Sequence, residues 1–373
     1  MPVNEASVLT PAPPAVAVNA QAQGRTFFGE LESLRGLAAL LVVVYHMPNW
    51  YDPFYSSAFA RNGHGAVEFF FVLSGFVLYH SYGSRIADVG ALKRFTLLRF
   101  GRLYPVHLLF TMAFFGIEIA KFIGKSSPFS LKSLLRALGE NLLLVQGLGL
   151  APREVFLNFP SWSISTEFYT YLIFGVAVWL LSRRGFLVLS LLLTATGCGV
   201  LALAADRIGE SQQFVRCVAG FFLGCITRIA YAHLKPSTSR VDWTLLLMLV
   251  SAVFLNIGWQ DRIDAWKVAF PLSASIILTL LLNPPGLSHR LLASRPFRWL
   301  GEISYSLYMC HALVIYLGRH ALPADLRLSL AGAVALYVAI LGAVILGGWI
   351  TFLLVEQPAK SWLRKLARGN SAA

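Results

Sequence analysis

Long apolar stretches alternate with short polar or basic connections along almost the whole chain. A helix that crosses a bilayer needs roughly 20 mainly apolar residues, because the hydrocarbon core is about 30 Å thick and each helical residue rises about 1.5 Å. The pattern therefore predicts an all-α fold, a polytopic transmembrane helical bundle with about ten spans. These spans are expected near 33–49, 66–83, 103–123, 163–182, 186–205, 212–232, 242–259, 266–283, 299–318 and 329–354.

The basic residues predict the orientation of this bundle. If the N-terminus is cytoplasmic, most of the 31 Lys and Arg residues fall on the cytoplasmic side. Many of the others lie around the long connection 121–162, where the positive-inside rule is weak. We therefore expect both termini in the cytoplasm, with a disordered tail at 1–26, a transmembrane domain at 27–358 and a basic tail at 359–373.

Composition excludes most soluble classes of protein. Hydrophobic residues make up 57% of the chain and charged residues only 13%, about half the charged share of a soluble domain. The net charge of +13 would suit a nucleic-acid partner only if the basic residues shared one soluble face. They lie between apolar runs instead, so we expect contact with the lipid bilayer and no nucleic-acid partner.

Ionisable residues within predicted spans are costly and are therefore functional candidates. In LRGLAALLVVVYH, Arg35 opens the first span and His46 follows eleven residues later. That distance is about 16.5 Å and about three turns of helix, so both side chains lie on roughly one face at different depths. The alternative is that Arg35 is a positive-inside anchor and His46 an interfacial histidine.

Two acidic residues raise the same question. Glu68 begins the aromatic run VEFFFVLSGFVL, in which the small residues Ser74 and Gly75 would allow close helix packing. Glu167 follows Trp162 and Ser163 in PSWSISTEFY. Helix capping is the alternative role for Glu167, because acids are favoured near helix starts.

The stretch KRFTLLRFGRLYPVH carries Lys93, Arg94, Arg99 and Arg102 in a predicted cytoplasmic loop. It obeys the positive-inside rule, but arginine forks also match phosphate oxygens, so a phosphate-binding mouth is the second interpretation. The sequence leaves both interpretations open.

A polar stripe runs along the predicted ninth span. In LGEISYSLYMCH it consists of Ser304, Tyr305, Tyr308 and His311, of which Ser304 and Tyr308 are i,i+4 neighbours. Such a stripe faces other helices or a water-filled cavity.

Taken together and in order, five of these motifs resemble the acyltransferase 3 family of integral membrane acyltransferases: LRGLAALLVVVYH, VEFFFVLSGFVL, RFGRLYPVH, PSWSISTEFY and LGEISYSLYMCH. The resemblance implies a single-domain enzyme of the bacterial inner membrane. It further implies transfer of an acyl group, usually acetyl from acetyl-CoA, to a hydroxyl of a carbohydrate or related extracytoplasmic acceptor, with no metal.

The sequence departs from the family pattern at one position. The family commonly shows two arginines separated by three residues before the third span, whereas this chain has Leu98 at the first position. Arg99 is the natural substitute, and Arg94 is a second candidate.

Acyl transfer from a thioester to a hydroxyl needs a base for the hydroxyl proton. We assign this role to His46 and expect Glu167, or else Glu68, to orient its imidazole. Arg35, Arg99 and Arg102 are expected to bind the phosphates of acyl-CoA. Trp162, Ser163, Ser304, Tyr305 and His311 are further candidates, and Ser163 or His46 could instead carry a covalent acyl group.

Two other classes of function compete with this interpretation. A proton-coupled transporter or exporter would also contain intramembrane Glu and His residues, but the internal duplication typical of many transporters is not visible. A lipid-binding sensor or scaffold is the second rival. Neither accounts for five motifs in one order.

Overall fold

The computed structural model describes residues 28–150, 154–256, 264–323 and 326–369, and this part of the chain contains helices and no β-strand. The all-α prediction is confirmed, whereas the predicted tail at 1–26 lies outside the described residues. The longer helices are α1 (Gly29–Tyr45), α2 (Ala66–Tyr82), α3 (Val89–Ile123), α4 (Leu131–Leu142), α5 (Trp162–Leu180), α6 (Arg183–Ile208), α7 (Gln212–His233), α8 (Trp243–Asn256), α9 (Ala265–Leu282), α10 (Arg295–Ala321), α11 (Leu330–Thr351) and α12 (Gln357–Gly369). Shorter helical segments are Asp52–Tyr55, Ala58–Asn62, Gly63–Gly65, Phe159–Ser161, Gly209–Ser211, Leu287–Leu292 and the π-helical turn Phe352–Glu356.

Six helical segments in the described ranges are long and apolar enough to cross a membrane. One of them, Arg183–His233, contains both α6 and α7, which are joined at Gly209–Ser211 and pack against each other. The chain is therefore a multi-pass membrane protein. The six segments are Val89–Ile123, Phe159–Leu180, Arg183–His233, Ala265–Leu282, Arg295–Ala321 and Leu330–Lys365.

Helix α3 is longer than the sequence predicts. The basic stretch before residue 103 was expected to be a loop, but α3 begins at Val89, where the Asp88 carboxylate accepts a hydrogen bond from the Ala91 amide at 2.8 Å. Its 35 residues extend about 52 Å, well beyond the hydrocarbon core. Arg99 and Arg102 therefore project from a helix whose rotation fixes their directions.

Helices α1 and α10 are packed side by side at two levels. A Cβ atom on Gly36 would lie 2.8 Å from the backbone nitrogen of Gly301, and a Cβ on Gly301 would lie 2.2 Å from the Glu32 carbonyl oxygen. Ten residues further along each chain segment, His46 and His311 are also in contact. The two helices therefore run parallel and in register, with the basic residues at one end and the histidines at the other.

Helices α2 and α7 also cross at glycines. A Cβ on Gly75 would lie 1.8 Å from the Phe221 carbonyl oxygen, and a Cβ on Gly224 would lie 1.9 Å from the Val72 carbonyl oxygen. Small residues at such crossings let two backbones approach closely. The packing role that the sequence suggested for Gly75 is confirmed.

We expect Gly75→Ala to destabilise the protein by about 1–3 kcal/mol or more, because the new methyl group overlaps the backbone of α7. Thermal unfolding of the detergent-purified protein measures the effect. Gly342→Ala in α11 is the matched control, since nothing lies within 4 Å of a Cβ there. Equal melting temperatures for the two variants would contradict the close crossing.

Candidate functional site

His46 and His311 form a pair where α1 ends against α10. His311 Nε2 lies 3.2 Å from His46 Nδ1, and the ring centroids are 5.1 Å apart. Each ring is also tied to its own helix: His46 Nδ1 lies 2.9 Å from the Val42 carbonyl oxygen, and His311 Nδ1 contacts the Tyr308 carbonyl oxygen. His311 is fully buried and His46 is partly exposed.

These backbone contacts determine the tautomers of both rings. A carbonyl oxygen only accepts hydrogen bonds, so Nδ1 must carry the proton in His46 and in His311. His311 Nε2 is then an acceptor for the His46 Nδ1 proton, which it shares with the Val42 carbonyl. The remaining nitrogen, His46 Nε2, keeps a lone pair that is available as a base.

Phe159 covers the histidine pair from the segment before α5. Its ring centroid lies 4.5 Å from that of His46 and 6.0 Å from that of His311. His46 lines a cavity of about 740 Å³, and Phe159 lines a second cavity of about 790 Å³. Pro48, Asn49 and Arg319 line both cavities, so the two cavities adjoin beside His46. We call this region the histidine end of the bundle.

Ser163 connects α5 to the stripe on α10. Its hydroxyl lies 2.9 Å from the Tyr308 hydroxyl, and both hydroxyls lie 3.1 Å from the Pro160 carbonyl oxygen. Tyr308 in turn contacts His311, at 5.6 Å between ring centroids. The predicted polar stripe therefore faces other helices, and Ser163 belongs to the support of the histidine pair.

Glu167 lies one turn further along α5, away from the histidines. Its Oε1 accepts hydrogen bonds from the Ser74 hydroxyl of α2 at 2.5 Å and from the Tyr171 hydroxyl. The hydrogen bonds of the described residues do not include one between Glu167 and His46. The sequence assigned these two residues to one site; in the structure the Glu167 carboxylate is hydrogen-bonded to Ser74 and Tyr171.

Glu68 joins α2 to α7. Its fully buried carboxylate accepts a hydrogen bond from Arg216 Nε at 2.8 Å. Arg216 also lies over the Trp162 ring, 5.5 Å from its centroid, and donates to Gln213 at 2.9 Å. Arg216 is not among the residues predicted from the sequence, although a charged residue within the predicted span 212–232 is the same signal that identified Glu68.

A second polar cluster lies at the other end of α1. Glu32 pairs with Arg35 at 3.2 Å, and Lys360 of α12 pairs with Glu356. Arg102 of α3 interacts electrostatically with both of these carboxylates. We call this cluster the arginine end of the bundle.

Arg99 lies beside this cluster. Its guanidinium donates to the Tyr82 hydroxyl at 3.4 Å and lies 5.4 Å from the centre of the Tyr82 ring. Its Nε atom is buried and has no hydrogen-bond partner in the described part of the chain. The structure therefore brings Arg35, Arg99 and Arg102 to one end of the bundle. The Nε–H group of Arg99 remains available to donate a hydrogen bond to a further oxygen atom.

Interior polar side chains link the two ends. Arg102 interacts with Tyr171 and Glu167, and Glu167 interacts with Tyr308, which contacts His311. Tyr305 lies along the same line and donates to the Leu103 carbonyl at 2.5 Å, while Ser304 is buried nearby in α10. A polar series therefore crosses an otherwise apolar bundle from Arg102 to His46.

Comparisons with known proteins point to one class of enzyme. A family model described as an acyltransferase domain matches residues 28–353. The chain is 28% identical to the acyltransferase MdmB of Streptomyces mycarofaciens, over 92% of this chain and 93% of that protein. It is 24% identical to the putative peptidoglycan O-acetyltransferase YrhL of Bacillus subtilis, over 79% of this chain and 50% of that protein. It is also 24% identical to the putative membrane-bound transacylase BcsY of Komagataeibacter xylinus, over 92% of this chain and 86% of that protein. No solved structure matches the chain.

We expect Glu68→Leu to destabilise the protein by about 3–5 kcal/mol, because it leaves the Arg216 charge unpaired inside the bundle. The double variant Glu68→Leu/Arg216→Met removes both charges and should recover most of the lost stability. Thermal unfolding in detergent compares the two. A double variant no more stable than the single one would show that the pair is not the main role of Glu68.

Proposed function

Since this chain belongs to the acyltransferase family whose model it matches over residues 28–353, we propose that it is a membrane-embedded O-acyltransferase. It moves an acyl group, with acetyl as the first candidate, from acyl-CoA to a hydroxyl of a carbohydrate or related acceptor. The printed name of one relative, a putative peptidoglycan O-acetyltransferase, supports this type of acceptor. The observation that carries the proposal is the histidine pair, of which His46 lines a cavity.

The proposed reaction is direct transfer with His46 as the general base. His46 Nε2 takes the proton from the acceptor hydroxyl as the oxygen attacks the carbonyl carbon of the thioester. The bond between carbon and sulfur then breaks, and the leaving CoA sulfur takes the proton back from the imidazolium. Ser163 is a poor covalent carrier in this scheme, because its hydroxyl contacts Tyr308 and the Pro160 carbonyl and not a base.

His311 is proposed as the residue that positions His46. Its Nε2 accepts the Nδ1 proton of His46 and so keeps the base in the correct tautomer, a role that a carboxylate has in hydrolytic triads. Glu167 is proposed to act on this pair through Tyr308, with which it interacts electrostatically. Glu68 supports the same region by holding Arg216 over Trp162.

The acyl-CoA donor is proposed to bind at the arginine end. Arg35, Arg99 and Arg102 supply guanidinium groups for phosphate oxygens, and the unpartnered Nε of Arg99 fits such a ligand. The acyl arm would follow the interior polar series to His46, while the acceptor enters from the cavities at the histidine end. No metal takes part in this scheme.

We further propose about ten spans, with both termini on the cytoplasmic side of the bacterial inner membrane. The parallel packing of α1 and α10 supports this topology, because the first and the ninth of ten spans must run in the same direction. The position of α12 beside Arg102 also supports it, since the C-terminal helix then lies at the same end as the start of α1.

The direct test is release of CoA thiol by the purified protein from acetyl-CoA, with and without a carbohydrate acceptor. An acyltransferase releases thiol in proportion to acceptor, and mass spectrometry detects the acylated product. A transporter would move its substrate across vesicles without releasing thiol.

We expect His46→Ala to reduce kcat by about 10²–10⁴-fold, the usual contribution of a general base. Binding of CoA, measured by calorimetry, should remain close to that of the wild-type protein. His233→Ala is the control, because His233 is exposed at the end of α7. Full turnover by His46→Ala would remove the proposed base.

We expect His311→Ala to lower kcat less than His46→Ala does, because it removes the positioning contact and not the base. The double variant should be no slower than His46→Ala alone, since both residues act as one unit. A steady-state comparison of all four proteins measures this coupling. Effects of the two substitutions that multiply in full would show that the histidines act independently.

A further inference from the structure

Helix α12 is docked firmly at the arginine end. Leu363 is buried, and a Cβ on Gly101 of α3 would lie 1.8 Å from its Cδ1 atom. The neighbouring Trp362 is 61% exposed, so one face of α12 contacts the bundle while the other faces outward. The absence of a side chain at Gly101 lets Leu363 pack closely against α3, and this contact seats α12 on the bundle.

The docked helix presents two cations to a cavity. Lys360 and Arg364 are i,i+4 neighbours on α12, and both line a cavity of about 500 Å³ together with Arg102 of α3. Three basic side chains from two helices thus converge on one space. Glu32, Glu302 and Phe352 also line this cavity.

The surrounding contacts hold these cations in place. The carboxylate of Glu356 pairs with Lys360 through Oε1, and its Oε2 accepts a hydrogen bond from the Ser306 hydroxyl at 2.5 Å. Lys360 also lies within electrostatic reach of Arg102 and Arg35, which repel it. An anion in the cavity would relieve this repulsion between like charges.

The size and composition of the cavity suit a nucleotide. A volume of about 500 Å³ falls within the range of small-molecule sites, about 300–1,000 Å³. Arginine forks and a lysine ammonium provide donors for phosphate oxygens, and the Phe352 ring provides an apolar wall. Arg102 also begins the interior polar series that leads to the histidine end.

We propose that this cavity binds the phosphate-bearing nucleotide end of the acyl donor, and that Lys360 and Arg364 of α12 are donor-binding residues together with Arg102. The inference rests on the proposed function, in which acyl-CoA is the donor. It assigns a role to a helix that begins beyond the residues matched by the family model. A competing cavity of about 750 Å³ lies between α2 and α3 and contains Lys93 and Arg94.

The test measures CoA binding to the full-length protein in detergent by calorimetry. K360Q/R364Q should raise the Kd by about 10- to 100-fold, because charge-assisted hydrogen bonds to phosphate are lost. K365Q is the matched control, since Lys365 is exposed on the same helix and does not line the cavity. Its Kd should stay within about twofold of the wild-type value.

A second variant, R364Q, distinguishes a loss of CoA binding from a folding defect. Lys360 pairs with Glu356, so its replacement could loosen α12, whereas R364Q alone changes an exposed residue. R364Q should still raise the Kd by about tenfold while the melting temperature without CoA stays unchanged. The control K365Q should keep the wild-type kcat at saturating donor, because Lys365 does not line the cavity.

Three results would overturn the inference. An unchanged Kd in both K360Q/R364Q and R364Q would exclude α12 from the site. An equal rise of the Kd in K365Q would show that the loss of any positive charge on α12 weakens CoA binding, without a specific contact. A rise in K93Q/R94Q alone would place the nucleotide in the cavity between α2 and α3. Failure of the wild-type protein to bind CoA or release thiol would instead reject the proposed function.

Discussion

A charged or polar group inside an apolar bundle must find a hydrogen-bonding partner, and the partners that lie on other helices organise the molecule. Moving an unpaired charge out of water is costly, whereas a paired and hydrogen-bonded one is tolerated. Five of the polar pairings among the described residues join different helical segments. They are Glu68 with Arg216, Glu167 with Ser74, Glu356 with Ser306, His80 with Arg228 and His46 with His311. The apolar surfaces allow many arrangements of helices, but these contacts select one.

The same pairings divide the interior into two regions of different chemistry. The arginine end combines cations with carboxylates and suits a phosphate-bearing ligand. The histidine end contains the His46–His311 pair beneath the Phe159 ring, beside two cavities. A two-substrate enzyme with this layout keeps its donor and acceptor on opposite sides until both reach His46. Under the proposed function, the membrane separates the two substrates and they meet in the bundle interior.

The sequence predicted the helical class, the membrane location and the family, because each depends on local patterns. It also identified His46, His311, Glu167 and the arginines as polar residues in costly positions. It did not predict which of them touch. The expected contact of Glu167 with His46 depends on the rotation of α5, which directs the Glu167 carboxylate to Ser74 and Tyr171.

Two further differences have the same origin. The stretch before residue 103 is polar enough to be taken for a loop, but the cap at Asp88 and the contact of Leu363 with Gly101 support a helix. The basic tail expected at 359–373 is helical as far as Gly369, where α12 ends, a feature that its composition did not predict. Hydropathy along the sequence carries no information about these tertiary contacts, so it could not predict either helix. The roles of the site residues and the number of spans stay predictions.

The parallel register of α1 and α10 has an evolutionary consequence. His46 and His311 each stand ten residues beyond the glycine contact that joins the two helices, so both lie about 15 Å from it. Inserting or deleting one residue in either interval would turn the histidine by about 100° and shift it by about 1.5 Å. Compensation would require the same change in the other helix. The spacing between Gly36 and His46 should therefore vary far less among relatives than the identity of the residues between them.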